Sequence, residues 1–554
     1  MRRRHVIALL VLLFGFQIVR TYAQVTATWT DSTGNWSNPA NWSTNTVPNN
    51  SGGTTYDVVV NGTGSDTVTY DVNSTVINGL AIGPSETLQN TGSSQTLTTG
   101  NVANYGIIDW YNGSKLSFGS LSMFSFSHPG AVGVFSGSTL SATSVHDGVL
   151  YFDHSTLNLT GDYSGYRGEL QLRYGSSGTI TGSIISANGG QTFQLAVNKS
   201  TLFVGGDVTS LNGSVTNYST LTVNGNFLVG NSFTGFTLQE SKAIIGGKLD
   251  TNSVSTVTID ASTLTADNLY SITQVFIKNG STVNLKNLNV AYGDFGVDGS
   301  SSLNISNDFS NSNDHINIDG VLNVHGTLTN YVGGDLHMGT ASILRAGTYN
   351  QSGGGTTIES GGKLTTDSFN VTGGTVTVNG TLASGAMNFG SNAALQGTGT
   401  SVGNVITTGT LTPGLLGAPG TFTISGNYQQ LDKGTLVDLM SPLSQSLLNV
   451  TGNVVLGPHS ILQINLLNGF NPFGQTFDVM NYSSLSGQFG NGSFFAEDGY
   501  GWTVTYGQNE IEVTAGPMPE PSSFLFLGLG LLALVAILFR KGSFGSARIS
   551  GAIA

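Results

Sequence analysis

A segment of about twenty residues recurs through the middle of the chain and limits the folds it can adopt. Each copy begins with a small residue, continues with alternating apolar and polar residues and closes on a turn of Gly, Asn or Asp, as in STLTVNGNF and GTVTVNGTL. Consecutive copies are 19 to 22 residues apart and start at Ser200, Ser219, Ser241, Ser262, Ser281, Ser301 and Gly320. The period-two alternation indicates strands, and a unit this short without a helical segment is typical of one coil of a parallel β-helix.

We therefore predict an all-β fold, a single-stranded parallel β-helix with two or three short strands per coil. Leu, Val, Ile and Phe would stack inside, and Ser, Thr and Asn would cover the outside. Only 9% of the residues are charged, which agrees with this prediction because like charges one coil apart, about 5 Å, repel each other. A series of antiparallel β-sandwiches is the alternative fold, but sandwiches usually lack so short and even a period.

Composition excludes several function classes. The 554-residue chain has no cysteine, so disulfide scaffolds, thiolate zinc sites and cysteine nucleophiles are ruled out. Residues 24–518 carry 11 basic and 30 acidic residues, a net charge of −19. This balance argues against nucleic acid or an anionic membrane surface as a partner, because binding phosphate requires basic patches.

The N-terminus predicts export. Three arginines are followed by an apolar stretch and then by Thr21-Tyr22-Ala23. A basic start, an apolar centre and small residues at positions −3 and −1 are typical of a secretory signal peptide over residues 1–23. We expect cleavage after Ala23 by the general secretion machinery.

The C-terminal segment, residues 517–554, predicts a membrane helix. Residues 524–539 contain no charge, and Arg540 and Lys541 follow them directly. Sixteen helical residues cover about 24 Å, slightly less than the hydrocarbon core of a bilayer. Basic residues on the far side favour a cytoplasmic C-terminus. A plain single-span anchor is one interpretation of this segment.

A sorting signal is the other interpretation. The residues Pro519, Glu520 and Pro521, the span FLFLGLGLLALVAILF and the basic stop resemble the PEP-CTERM tail of exported Gram-negative proteins. The family usually ends at its basic cluster, whereas this chain continues with GSFGSARISGAIA. The resemblance implies that the inner membrane holds the tail transiently and an exosortase removes it. The protein would then reach the cell surface or extracellular matrix.

The N-terminal flank, residues 24–90, contains three of the five tryptophans, Trp29, Trp36 and Trp42. Through GNWSNPANW it resembles the Trp-rich module that begins many autotransporter-like and PEP-CTERM β-solenoids. We expect the tryptophans to cap the first coil, whose core and strand edge would otherwise be exposed. Carbohydrate stacking on exposed indoles is the alternative.

Residues 403–516 form the C-terminal flank and follow the predicted coils of residues 91–402. Stretches such as GTLTPGLLGAPGTFTISGNYQQ and GQTFDVMNYSSLSGQF resemble the C-terminal part of autotransporter passenger solenoids. The resemblance implies a β-helix closed by a stabilising C-terminal cap. It does not imply self-transport, because a membrane helix is predicted to follow and not an outer-membrane barrel.

No catalytic constellation is identifiable from spacing, and HExxH and P-loop motifs are absent. The densest acidic stretch contains Asp308, Asp314 and Asp319, which we interpret as solvated acids on a turn-rich edge. Weak Ca²⁺ binding is the alternative there. His325 and His337 lie twelve residues apart without a nearby carboxylate, so we expect surface residues and not a metal pair. The sequence thus predicts no cofactor and no metal.

These features predict an exported structural or adhesive protein that is not an enzyme. Many weak hydrogen bonds from a long Ser/Thr/Asn surface would contact polysaccharide or neighbouring cells, and affinity would come from multivalency. The alternative is a polysaccharide-degrading β-helix enzyme, a lyase or hydrolase. It would require several carboxylates, alone or with Arg or Lys, on one exposed face of adjacent coils.

Overall fold

The structure is a computed structural model that describes residues 23–518 apart from short gaps. The gaps are residues 63, 124–129, 188–192, 211, 231–234, 252–255, 272–273, 291–292, 313–314 and 416. The predicted signal peptide up to residue 22, the PEP motif and the predicted membrane helix lie outside the described residues, as does Asp314.

The all-β prediction is confirmed. The chain is 66% strand and forms a parallel β-solenoid of about 17 turns. Its described helical residues include a 3-10 turn, Pro39–Asn41. The described residues divide into two compact units, 23–293 with 301–303, and 294–300 with 304–518.

The strands that lie wholly in the first unit are β1 (Ala23–Thr28), β2 (Thr33–Asn35), β3 (Thr54–Val60), β4 (Thr67–Tyr70), β5 (Ser74–Ile82), β6 (Thr87–Asn90), β7 (Thr96–Asn104), β8 (Ile107–Trp110), β9 (Lys115–Ser122), β10 (Ala131–Phe135), β11 (Thr139–Asp153), β12 (Thr156–Leu159), β13 (Tyr163–Arg173), β14 (Ser177–Ile180), β15 (Ile184–Ser186), β16 (Gln194–Asn198), β17 (Thr201–Val204), β18 (Val208–Ser210), β19 (Asn212–Thr216), β20 (Thr220–Val223), β21 (Phe227–Val229), β22 (Phe236–Gln239), β23 (Lys242–Thr251), β24 (Val257–Asp260), β25 (Thr263–Ser271), β26 (Val275–Lys278) and β27 (Thr282–Val290).

The remaining strands are β28 (Phe295–Val297), β29 (Ser302–Ile305), which contains residues of both units, β30 (Phe309–Asn311), β31 (His315–Ile318), β32 (Val321–Asn330), β33 (Asp335–Met338), β34 (Ile343–Gln351), β35 (Gly355–Ile358), β36 (Lys363–Val378), β37 (Thr381–Gly397), β38 (Thr400–Thr407), β39 (Thr410–Leu415), β40 (Ala418–Pro419), β41 (Thr421–Ser425), β42 (Tyr428–Gln430), β43 (Thr435–Met440), β44 (Leu447–Val450), β45 (Asn453–Leu456), β46 (Ile461–Leu466), β47 (Thr476–Asn481), β48 (Ser484–Ser486), β49 (Phe494–Glu497), β50 (Tyr500–Tyr506) and β51 (Glu510–Gly516).

Three parallel ladders run through the first unit, so each complete coil contributes three strand segments. One ladder joins β12, β14, β17 and β20, a second joins β15, β18 and β21, and a third joins β16, β19 and β22. Parallel pairing is already present between β1, β3 and β5 of the N-terminal flank, and β5 pairs parallel with β7 beyond it. The predicted two or three strands per coil agree with this arrangement.

The second unit combines parallel coils with antiparallel pairing. Its parallel ladders include β43 with β46 and β45 with β48. Towards the end of the described chain, β51 pairs antiparallel with both β47 and β50, and β50 pairs antiparallel with β49. The C-terminal flank is therefore not a simple continuation of the coils.

Alternation of side chains across each strand forms the core. In β20, for example, Leu221 and Val223 are fully buried, whereas Thr220 and Thr222 are half-buried on the outer side. The same pattern repeats in successive coils, so apolar side chains stack along the interior. Fully burying one such side chain stabilises the fold by about 1.5–3 kcal/mol.

A ladder of buried serines lines one corner of the coils in the first unit. The N–H of one serine donates to the Oγ of the serine one coil later, at 3.0–3.1 Å for the run from Ser200 to Ser301. Each Oγ of that run up to Ser281 donates its own proton to a carbonyl two or three residues earlier, at 2.6–2.8 Å. The members of this run are Ser200, Ser219, Ser241, Ser262, Ser281 and Ser301. From Ser219 to Ser301, the serine that opens each repeat is therefore the acceptor for a buried backbone N–H group.

A left-handed residue precedes each serine of the run from Ser200 to Ser281. The φ angle is 48° at Lys199, 64° at Tyr218, 47° at Glu240, 49° at Ala261 and 77° at Gly280. This conformation costs an ordinary L-residue about 1–2 kcal/mol. It turns the chain so that the next residue can hydrogen-bond with the adjacent coil.

We expect Ser219→Ala to destabilise the first unit by about 1–3 kcal/mol, because the buried N–H of Ser200 would lose its acceptor. Thr222→Ala, on the outer side of the same strand, should change the free energy of unfolding by less than about 0.5 kcal/mol. Urea unfolding followed by circular dichroism measures both values. Equal effects of the two variants would contradict a structural role for the serine ladder.

Candidate functional site

The three N-terminal tryptophans pack against one another inside the first unit. Trp42 lies edge-to-face with Trp29 and with Trp36, at ring-centroid distances of 5.0 and 4.8 Å. Trp36 also contacts Tyr70 at 5.4 Å, and the Trp42 Nε1–H donates to the Trp36 carbonyl at 2.9 Å. Burial raises the pKa of Tyr70 to about 12.

These indoles expose at most 3% of their surface. A carbohydrate-stacking platform needs an open ring face, and here the faces meet other side chains. We therefore place the candidate carbohydrate surface elsewhere and keep the cap as a prediction for this cluster. Ala23, the predicted cleavage residue, begins β1 and pairs with Thr54.

Among the described residues, Asp308 and Asp319 belong to no group of three or more potential metal ligands. Asp308 and Asp319 are both exposed, and Asp308 Oδ1 accepts the Thr327 N–H at 2.7 Å. The two histidines have separate partners. His325 Nδ1 lies 3.3 Å from the Ile305 carbonyl oxygen, and His337 Nε2 lies 3.4 Å from a Glu359 carboxylate oxygen.

One acidic trio does come together among the described residues. Carboxylate oxygens of Asp478, Glu510 and Glu512 lie within 4.8 Å of one another. Asp478 pairs directly with Glu512 across the antiparallel β47–β51 ladder. Oxygen ligands of this kind suit a hard divalent cation. The sequence does not predict this trio, because no repeat spacing relates β47 to β51; the alternation in Glu510-Ile511-Glu512 is its only local signal.

A mostly uncharged surface covers the outer side of seven adjacent strand segments in the first unit. These segments are β12, β14, β17 and β20 and the first parts of β23, β25 and β27. Their outward residues form two columns, here called the hydroxyl face. The first column is Thr156, Ser177, Thr201, Thr220, Lys242, Thr263 and Thr282; the second is Asn158, Thr179, Phe203, Thr222, Ile244, Thr265 and Asn284.

The geometry of the hydroxyl face follows from the parallel register. Neighbouring strands are about 4.8 Å apart, so hydroxyl groups repeat at that interval along each column. Six of the seven residues in the first column carry a hydroxyl group. Phe203, 36% exposed, and Ile244 flank Thr222 in the second column and supply an apolar patch amid the hydroxyls.

Such a surface offers many neutral donors and acceptors together with one aromatic ring. Sugars present hydroxyl groups at their edges and C–H groups on their ring faces, so the hydroxyl face is chemically complementary to a carbohydrate chain. Lys242 is the single charged member of the face. The sequence predicted an outer surface of Ser, Thr and Asn, but only the register of the parallel strands shows which residues lie on the same face.

In the described part of the chain, no helix has the length and apolar character needed to cross a bilayer. Comparisons with protein-family models, with curated proteins and with solved structures found no match to this chain.

One buried carboxyl group stands apart from these surfaces. Asp438, on β43 of the second unit, is 2% exposed and lies opposite the buried Ile464. Its side chain extends to the same side as Leu436 and Met440, and its Oδ1 has no hydrogen-bond partner. Burial therefore raises the pKa of Asp438 well above its usual value.

The raised pKa predicts a pH-dependent stability. Near pH 4 and above, Asp438 ionises in the unfolded chain while the native state keeps its proton, so stability falls as pH rises towards the native pKa. We expect Asp438→Asn to remove this loss. The variant should match the parent near pH 4 and be more stable at pH 7, as measured by urea midpoints.

Asp432→Asn is the matched control, because Asp432 is exposed in the turn before the same strand. This variant should leave the pH dependence unchanged. The prediction is contradicted if the parent gains stability relative to Asp438→Asn when the pH is raised from 4 to 7.

Proposed function

We propose that this protein is an exported structural or adhesive component of the cell surface or extracellular matrix, and that the hydroxyl face binds polysaccharide. The observation that carries the proposal is the repeated array of neutral hydroxyl groups around Phe203. Each contact is weak on its own. A polymer that meets several coils at once gains affinity by multivalency.

The charge distribution supports a neutral or weakly charged polysaccharide as the ligand. Residues 24–518 have a net charge of −19, which disfavours polyanions at long range. The hydroxyl face itself contributes one positive charge, so binding would depend on hydrogen bonds and ring contacts. Salt should therefore weaken it little, because screening acts on charges.

We propose further that both termini direct the protein to this location. The segment over residues 1–23 would be removed during secretion, and residues 517–554 would hold the chain in the inner membrane until an exosortase acts at Pro519-Glu520-Pro521. This proposal is supported by the sequence patterns at the two ends. The expected destination of the protein is the cell surface or extracellular matrix of a Gram-negative bacterium.

A glycan array of neutral polysaccharides tests the binding proposal with the purified protein. Phe203→Ala should weaken binding about tenfold, equivalent to about 1.4 kcal/mol, because only the exposed part of the ring would be buried by the ligand. Thr222→Glu places a charge at the centre of the hydroxyl face and should reduce binding at least as much.

Thr237→Glu is the control for added charge, because Thr237 is a half-buried outward residue of β22, on another ladder. It should leave binding unchanged. Binding that survives both Phe203→Ala and Thr222→Glu, or that all three variants weaken equally, would refute the hydroxyl face as the ligand surface.

Mass spectrometry of the protein from its native envelope tests the sorting proposal. We expect a chain that begins at Gln24 and lacks residues 524–554, because exosortase processing removes the segment beyond the PEP motif. A mature protein that retains its sequence to Ala554 would show a permanent anchor and not a processed sorting signal.

A further inference from the structure

A bulge interrupts the regular pairing of β11 and β13 in the first unit. His146 lies opposite Ser164, and Gly148 lies opposite Gly168. Residues 165–167 of β13 therefore occupy the interval that Asp147 alone occupies on β11. Bulges change the direction of side chains and are over-represented beside active sites. This break in an otherwise regular ladder is therefore a candidate position for a reactive site.

The bulge encloses the carboxylate of Asp147. Asp147 is 1% exposed and has a left-handed φ of 59°. Its Oδ1 accepts the backbone N–H groups of Tyr166 at 2.5 Å and Arg167 at 3.1 Å. A Cβ atom at Gly165 would lie 2.2 Å from Oδ1, so a glycine is needed for the chain to wrap so closely.

His146 connects this carboxylate to a hydroxyl group. Its Nε2 lies 3.2 Å from Asp147 Oδ2, an ion-pair distance, and its Nδ1 lies 3.2 Å from Ser164 Oγ. Asp147 Oδ2 makes no hydrogen bond in this geometry. In the neutral tautomer that carries its proton on Nε2, Nδ1 is free to accept the Ser164 hydroxyl proton. The His146 side chain is 53% exposed and Ser164 is half-buried, so both are accessible from solvent.

We propose that Ser164, His146 and Asp147 form a nucleophilic site that cleaves carboxylic esters. Ser164 Oγ is the nucleophile, His146 is the general base and acid, and Asp147 is a positioning residue that also stabilises the imidazolium. The two ring nitrogens have the reverse of the roles they have in chymotrypsin-like enzymes, yet the order of hydroxyl, imidazole and buried carboxylate is the same. This proposal is independent of polysaccharide binding by the hydroxyl face.

The reaction balances with water as the only co-substrate. Ser164 Oγ attacks the ester carbonyl carbon while His146 Nδ1 takes the hydroxyl proton; the bond to the alkoxy oxygen then breaks, and His146 returns the proton to the leaving alcohol. Water next attacks the acyl-serine carbon and gives a proton to His146. The bond to Oγ breaks, Oγ regains the proton and the carboxylic acid departs.

The surroundings indicate which esters could reach this site. Tyr166, 49% exposed, and the exposed Arg167 lie on the bulge beside Ser164. A nucleophile on such an open surface does not require its substrate to enter a cavity. Small acyl groups displayed on a large molecule are therefore the class of substrate that fits.

Labelling of the full-length protein with a fluorophosphonate probe tests the proposal, because the probe phosphonylates activated serines. We expect labelling at Ser164, identified by peptide mass spectrometry, and none at that peptide in Ser164→Ala. His146→Ala should slow labelling at least tenfold, and free imidazole should restore part of the rate by acting as the missing base. A purely structural histidine would show no such rescue. Asp147→Asn should slow labelling without abolishing it.

His154→Ala is the matched control, because His154 also lies beside an aspartate, with Nδ1 2.5 Å from Asp153 Oδ1. Its labelling rate should equal that of the parent, and circular dichroism should show that every variant is folded. Hydrolysis of p-nitrophenyl acetate gives a second readout, which should fall in the Ser164 and His146 variants together. Absence of labelling at Ser164 in the folded parent, or equal labelling in His146→Ala, would overturn the proposal.

Discussion

The coils of the first unit between Ser200 and Ser301 must satisfy buried backbone N–H groups at one corner, and the serine ladder does this. An unpaired buried N–H costs about 1–3 kcal/mol, and the cost would recur at each turn. Ser219 illustrates the solution, since its Oγ accepts from Ser200 and donates to Thr216, while its own N–H donates to Ser241. A small side chain that both accepts and donates fits this corner, and the coil-to-coil register depends on it.

The same register explains which charges the surface tolerates. Side chains on neighbouring coils are about 4.8 Å apart, so like charges in one column would repel along its length. The charged residues that do occur are often opposite in sign across that interval, as in Lys278 with Asp260 and Lys286 with Asp267, at 3.3 and 2.7 Å. Such exposed pairs contribute little individually. These Lys–Asp pairs allow charged residues in outward columns where a column of lysines alone would be unfavourable. Hydroxyl and amide residues are common at the other outward positions.

The repeat was sufficient to predict the fold, because inward and outward positions alternate visibly in each copy. Ser219, Ser241 and Ser262 were recognised as starts of repeats, but their hydrogen bonds along the ladder could not be derived from spacing alone. The sequence predicted an outer surface of Ser, Thr and Asn, but it did not predict which of these residues form the hydroxyl face. The acidic trio of Asp478, Glu510 and Glu512 was missed because the antiparallel pairing of β47 with β51 leaves no periodic trace in the sequence.

Function in a solenoid of this kind divides between regular and irregular parts. A regular face repeats one weak contact, so it can hold a polymer but cannot concentrate different chemical groups at a single point. A reactive site needs a break in the repeat, and the bulge at residues 165–167 is such a break. There, the backbone N–H groups of Tyr166 and Arg167 donate hydrogen bonds to the buried Asp147 carboxylate. The strand register places His146 opposite Ser164. His146 and Ser164 are 18 residues apart in sequence, close to one coil, so the repeat supplies their contact and the bulge supplies the carboxylate.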